Sequence, residues 1–326
     1  MRGDYVPVVH AAIAGRPDEL DTLVAAGEVA EALARLGYAS EVIDIGTGFE
    51  PLRELVADRP AAVFNMVEAV GGAAGEAYRP VRLMHELGLP HTGAGAEAFL
   101  LTQSKMRVKR LLLRAGIPTP AWWAVGTEVP PATRVIVKSD LEHASLGIDA
   151  GSVVDGSQAE AEIVRRERRF GGRFFAETFV DGREFNVSIV ELDDTPWVLP
   201  IPEILFDGLP EDRPRIVDYE AKWAVASPAY DGTPRRFGLE REEPGLAVEL
   251  SRLARRCWRV ARLDGYARID FRLDEAGRPY VLEINVNPCL APDAGFVATA
   301  AAAGLGYDDL IGRIVDAAAR KNARVA

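Results

Sequence analysis

Cysteine, histidine and lysine are all scarce in this chain. Its two cysteines, Cys257 and Cys289, cannot form the disulfide framework of a small secreted domain, and they lack metal-site spacing. Reduced thiols in a cytoplasmic protein are the expectation. No stretch reaches the roughly 18 uninterrupted apolar residues of a membrane span, and Ala298–Gly304 is apolar but far too short. Residues 1–15 lack a charged region followed by a long apolar run, so a secretory leader is not expected either. Positive charge is in deficit. The net charge is −11, a field that repels nucleic acid, so an anionic ligand must be met by local basic groups. Only five of the 38 basic residues are lysine, which gives weight to any lysine inside a motif. Internal repeats and low-complexity segments are lacking.

What is present is the balance of a folded protein, 48% apolar and 27% charged. A length of 326 residues exceeds one small core and implies two or three subdomains around shared clefts. Residues 6–13, 41–45 and 61–66 read as strands, and a short strand follows near His91. Helices fall between them, one from Leu20 to Leu36 that stops at Gly37 and one from Val81 to Leu87. This alternation predicts a parallel α/β sheet over about the first 100 residues. An amphipathic Ser104–Ala115 helix, closed by Gly116-Ile117-Pro118-Thr119-Pro120, changes the pattern. Beyond it the chain reads as α+β, with strands at 135–138, 174–179 and 185–191 and a helix at 158–169. Asp181-Gly182 reads as a hairpin turn between the last two strands. Residues 197–236 are irregular. Helices at 243–263 and 305–321 flank two more strands, 266–273 and 279–286.

The most informative stretch is 266–288, YARIDFRLDEAGRPYVLEINVNP. Side chains alternate faces along a strand, so Arg268 and Asp270 share one face, and Glu283, Asn285 and Asn287 share another. Pairing of the two strands through an Asp274–Gly277 turn brings these five together. Ile269, Phe271, Leu282, Ile284 and Val286 are expected on the opposite, core face. Two carboxylates and an amide make an oxygen-only donor set, which suits a hard cation such as Mg²⁺. Arg268 beside them suits phosphate charge. A solvated hairpin more often carries Lys, Glu and Thr than Asn-x-Asn-Pro.

At these residues the chain resembles the ATP-grasp superfamily and, within it, the D-alanine–D-alanine ligases. The match is the RID segment, Arg268–Asp270, then LEIN, Leu282–Asn285, then Pro288. The resemblance implies that Asp270, Glu283 and Asn285 hold two Mg²⁺ ions on ATP, with Mn²⁺ as an alternative, and that Arg268 contacts the transferring phosphoryl group and the acyl oxygen. It extends over about residues 60–305. LTQSKMRVKRLLLRAGIPTP resembles the helix whose first lysine, here Lys105, binds phosphate. Lys138 in IVKS is the second phosphate lysine. Glu142-His143-Ala144-Ser145-Leu146-Gly147 resembles the flap over the phosphates, with Glu142, Ser145 and Gly147 as nucleotide contacts and Ser145 also catalytic. AETFVDGREFNVSIV places Glu177 at the adenine amine, Phe179 and Val180 at the hinge and Glu184 at the ribose. IVDYEAKW supplies Lys222 over the phosphates. VEAVGGAAGEAYRP resembles the substrate-side loop, with Glu68 and Glu76 as substrate contacts. The implied architecture is an ATP-grasp fold, with an N-terminal parallel α/β domain at 1–101, a central α+β lid domain at 102–190 and a C-terminal α+β domain at 191–326 that carries the metal site.

Three departures bear on substrate. The N-terminal glycine-rich segment with its amine-binding glutamate has no secure match in Ile13–Glu19, where Asp18 reads as the cap of a turn before a helix. Trp223 stands where a tyrosine is usual, and an indole only donates. After Pro288 the family's glycine and carboxylate-anchoring serine give way to Cys289-Leu290-Ala291-Pro292-Asp293-Ala294, so Asp293 is a candidate for an amine. No histidine is visibly paired with Cys289, which reads as a packing residue.

The activity implied is ATP-dependent ligation of a small carboxylate to an amine through an acyl phosphate, on substrates other than two D-alanines. A peptidoglycan D-alanine–D-alanine ligase and a non-catalytic nucleotide sensor are the alternatives. The family is often dimeric through its N-terminal region, which makes a homodimer an expectation.

Overall fold

The computed structural model describes residues 4–11, 17–142, 145–210, 212–224 and 227–325, and their side chains except at 17–19 and 322–325. The cap expected at Asp18 and the flap residues His143 and Ala144 lie outside that description.

The first sheet is parallel, with β1 (Val8–His10) between β2 (Val42–Asp44) and β3 (Phe64–Asn65). Val6, Val8, Val9 and Ala11 are all buried, which is why this segment is continuously apolar rather than alternating. Pro17–Arg35 forms the following helix, and Gly37 ends it at φ 91°, a conformation that favours glycine. The strand expected near His91 is a single parallel bridge to Val63.

The second sheet is antiparallel. Its strands are β4 (Trp122–Ala124), β5 (Arg134–Ser139), β6 (Val153–Asp155) and β7 (Phe174–Thr178), in the order β4-β7-β5-β6. The Ala159–Phe170 helix buries Ile163 against Val135, Val137, Phe174 and Ala176.

The third sheet holds β8 (Glu184–Leu192), β9 (Thr195–Val198), β10 (Glu203–Ile204), β11 (Arg235–Arg236), β12 (Tyr266–Leu273) and β13 (Pro279–Asn285). The order is β11-β10-β8-β12-β13, with β9 on β8. Val187, Ile189, Ile269, Phe271, Val281 and Ile284 pack in one core with Leu250, Leu253 and Ala254 of the Pro244–Val260 helix.

Two expectations are corrected. Asp181-Gly182 does not turn a hairpin, because β7 and β8 belong to different sheets. Gly182 is not among the glycines of positive φ. What requires glycine is close approach, since a Cβ there would lie 1.9 Å from the Leu273 carbonyl oxygen. Gly182→Ala should lower stability by about 1–3 kcal/mol. A urea midpoint equal to that of the parent would refute this. The second correction concerns Leu282. The β12–β13 register shifts after Asp270, pairing Asp270 with Glu283 but Phe271 with Val281. Leu282 is the extra residue of a bulge. Val281 takes the core position, and Leu282 lines a cleft instead.

Candidate active site

A cleft of about 800 Å³ is lined from the second and third sheets, the 216–223 segment and the loop after Pro288. The β12–β13 hairpin supplies its floor. Arg268 pairs with Asn285 in register and Asp270 with Glu283, so all four side chains project from one surface. On the other flank β12 pairs with β8, setting Ser188, Asn186 and Glu184 opposite Arg268, Asp270 and Arg272.

Arg268 grips Asp270 through Nε and Nη2, at 2.8 and 2.9 Å, and Asn186 Nδ2 donates to the same carboxylate at 2.9 Å. Burial pushes the Asp270 carboxyl above its ordinary pKa against the pull of Arg268, and Glu283 and Glu184 add to the rise. A divalent cation would relieve that crowding of anions. Among the described residues no three His, Cys, Asp or Glu cluster as a metal site, and the oxygen donors that line the cleft beside Arg268 include the carboxylates of Asp270 and Glu283 and the Asn285 amide. Oxygen donors that leave positions for phosphate and water fit Mg²⁺.

Four of the five lysines gather around this cleft. Ser104 caps the Lys105–Arg114 helix, accepting from the Arg107 backbone N–H at 3.2 Å, and the buried Asp140 carboxylate accepts from Met106 N at 3.0 Å. Lys105 is thereby aimed inward. Its Nζ donates to the Glu142 carbonyl at 2.6 Å and lies 3.5 Å from the Glu283 carboxylate. Lys138, on β5, contacts Glu177 of β7, and Lys109 approaches the same carboxylate at 2.5 Å. Burial pushes the Lys109 ammonium down to about 8, partly offset by Glu177. Burial pushes Glu177 up, but the two lysines outweigh it and hold the carboxyl below its ordinary value. Lys222 sits on the Tyr219–Trp223 helix, which Asp218 caps by accepting from Ala221 N at 3.0 Å. Burial and the nearby Arg268 lower its pKa.

The 145–148 and 217–219 segments meet over the cleft. Ser145, at φ 61°, donates from Oγ to the Val217 carbonyl at 2.8 Å, and Tyr219 N donates to the Ile148 carbonyl at 3.2 Å. Gly147 is not part of the cleft lining. It holds φ 72°, a Cβ there would crowd the Phe174 ring at 3.0 Å, and its carbonyl accepts from the buried Arg166. Ile136, Ile148, Phe179, Ile216 and Leu282 give the cleft an apolar wall suited to a flat ring, with Val180 alongside. Glu184 lines the cleft and accepts from Arg272 Nε at 2.8 Å.

At the other end stand Asp21, Glu68, Asn287, Cys289, Asp293 and Ala294. The Cys289 thiol donates to Asp21 at 3.0 Å. Burial, Glu68 and Asp21 push its pKa up, which disfavours the thiolate that nucleophilic attack needs. Trp223 also lines the cleft. Glu76 does not. Its carboxylate pairs at the surface with Arg79, one turn away, at 3.2 Å, which removes it from the candidate set.

Asn186, Arg272 and Lys109 escaped the sequence reading. Arg272 continues the Arg268-Asp270 alternation, a signal that was available. Lys109 stands one turn after Lys105 and looks like an ordinary charged helix residue.

Comparison with known proteins agrees with this geometry. A family model described as "D-ala D-ala ligase C-terminus" matches residues 129–316. The D-alanine–D-alanine ligase of Moorella thermoacetica is 32% identical over 313 residues, 91% of this chain and 94% of that protein. The one of Halorhodospira halophila is 30% identical over 306 residues, 92% and 91% of the two chains. Among solved structures, D-alanine–D-alanine ligase from Bacillus anthracis complexed with ATP superposes with a TM-score of 0.74 at 17% identity, covering 99% of this chain and 100% of that one. That likeness shows the ATP-grasp fold. With the family model spanning more than half of the sequence and relatives at 30% identity or above over nine-tenths of it, the chain belongs to the D-alanine–D-alanine ligase family, ATP-grasp enzymes that form carbon–nitrogen bonds.

Proposed function

We propose that this ligase makes an acyl phosphate from ATP and a small carboxylate, then passes the acyl group to an amine, and that its substrates are not two D-alanines. The observation that carries the second part is the loop after Pro288. Cys289, Ala291, Asp293 and Ala294 line the cleft where the resemblance expects a serine to anchor a carboxylate. Ala294 offers no hydroxyl, and Asp293 repels a free α-carboxylate while suiting an ammonium group.

Asp270, Glu283 and Asn285 would hold Mg²⁺, or Mn²⁺, as two ions that would supply positive charge to offset that of the phosphates. In the first step the γ-phosphoryl group leaves the β-phosphate oxygen of ATP for an oxygen of the substrate carboxylate. Lys105 and Lys138 would hold the phosphates, and Lys222 and Arg268 would offset charge on the equatorial oxygens. The apolar wall with Phe179, Val180 and the Glu177 carboxylate would receive adenine, and Glu184 the ribose. In the second step the amine nitrogen attacks the acyl carbon and inorganic phosphate departs. Water must be kept from the acyl phosphate, and the 142–147 and 212–222 segments, joined through Ser145 and Val217, would close over it.

The relatives named D-alanine–D-alanine ligase favour a second reading, an enzyme of that substrate pair. Phosphate release from ATP–Mg²⁺ across a panel of amino acids, dipeptides and amines separates the two, with Glu283→Gln as the inactive control. Release with a pair other than D-alanine, lost in the control, is the expected result. Release with D-alanine alone would overturn the argument from Ala294. Tight ATP binding with no release under any pair would point to a nucleotide sensor.

A further inference from the structure

We infer that Lys109 is a positioning residue for ATP: by giving Glu177 a second counter-cation, it frees the Lys138 ammonium to engage phosphate. The inference rests on the reading of Lys138 as a phosphate-binding residue. Glu177 lies between the two lysines, with Lys109 0% exposed, Glu177 1% and Lys138 6%. Glu177 and Lys138 line the cleft, whereas Lys109 does not. Lys109 is fixed from behind. Its Nζ donates to Thr119 Oγ1 at 3.0 Å, and Thr119 in turn donates to the Val281 carbonyl at 2.8 Å, two residues before Glu283. It therefore reaches no ligand in the cleft and acts only through Glu177.

The physical argument is one of charge balance. A buried carboxylate with a single lysine partner keeps that lysine, because letting it go leaves an uncompensated buried charge. Were Lys138 the only partner of Glu177, turning it toward a phosphate would incur that cost. With Lys109 in place, the carboxylate stays compensated whichever way Lys138 points. The charged groups acting on Lys109 are Glu177, Lys138 and the more distant Glu283.

The test is ATP–Mg²⁺ affinity by calorimetry, together with steady-state kinetics. Lys109→Met should weaken nucleotide binding tenfold or more, with the loss in the KM for ATP rather than in kcat. Lys109→Met/Glu177→Gln should bind better than Lys109→Met, since no anion is left to retain Lys138. A residue with only a structural role would make the double variant worse. Affinity within twofold of the parent in folded Lys109→Met, or no recovery in the double variant, would overturn the inference. Lys138→Met is the separate check. If it leaves affinity unchanged, Lys138 is not a phosphate residue and the underlying reading fails instead. Should Lys109→Met not fold, the double variant is compared with Glu177→Gln. Equal affinities are then expected, because without Glu177 there is nothing for Lys109 to hold, and a fivefold difference would refute the assignment.

Discussion

Arg268→Met should cut ligase turnover by about two to three orders of magnitude, the usual loss when one preorganised charge aimed at a developing anion is removed. The guanidinium lies at the floor of the cleft, and both contacts it makes to Asp270 also orient a proposed metal ligand. The variant therefore loses a cation at the transferring group and leaves Asp270 with Asn186 as its remaining donor. Arg268→Lys separates the two effects. It restores charge but not the planar fork that meets a carboxylate with two parallel bonds, so recovery should be partial. ATP–Mg²⁺ affinity should change far less than kcat, because the charge is needed most as the phosphoryl group moves. Turnover within tenfold of the parent in Arg268→Met, measured by phosphate release with the identified substrate pair, would remove Arg268 from the chemistry.

That constellation was legible because strand alternation is local. Arg268, Asp270, Glu283 and Asn285 follow from a period of two and one tight turn, and the register Arg268 to Asn285 and Asp270 to Glu283 places them as the alternation requires. One extra residue sufficed to mislead nearby, since the bulge turns Leu282 into the cleft and sends Val281 to the core. Longer-range pairing left no local trace. Asn186 meets Asp270 from 84 positions away, across a strand pair that no periodicity announces. The Asp181-Gly182 signal failed for a related reason. Glycine there answers to the Leu273 carbonyl of another strand, which a turn rule cannot see. Glu76 was drawn in by its neighbours in the motif, although its own helical turn offered Arg79 as a partner.

Glu177→Gln should be the most destabilising single change at the site, by about 3–5 kcal/mol near neutral pH, the range for removing one partner of a buried ion pair. The substitution is nearly isosteric, so packing is spared and the effect is electrostatic. Two ammonium groups, one of them fully buried, lose their shared anion. The pH dependence follows from the direction of each shift. Glu177 has its pKa lowered from 4.5 by folding, so its contribution is present above that value and is lost as pH falls through the lower, folded one. The deficit of the variant should therefore shrink in acid. Lys109 has its pKa lowered by folding from 10.5 to about 8, so the unfolded chain binds more protons between those values and stability gains from this group as pH rises through them. In Glu177→Gln the amine loses its main anionic neighbour and sheds its proton at lower pH still, so the deficit should shrink on the alkaline side as well. The expected curve, the difference in urea-unfolding free energy between parent and variant, is a hump that peaks between about pH 5 and pH 8. A difference that stays flat from about pH 3 to pH 9 would mean that the two lysines were compensated by something other than Glu177. Adding Lys109→Met to the variant should restore much of the loss, since a buried amine that cannot find an anion is better replaced by a side chain that needs none.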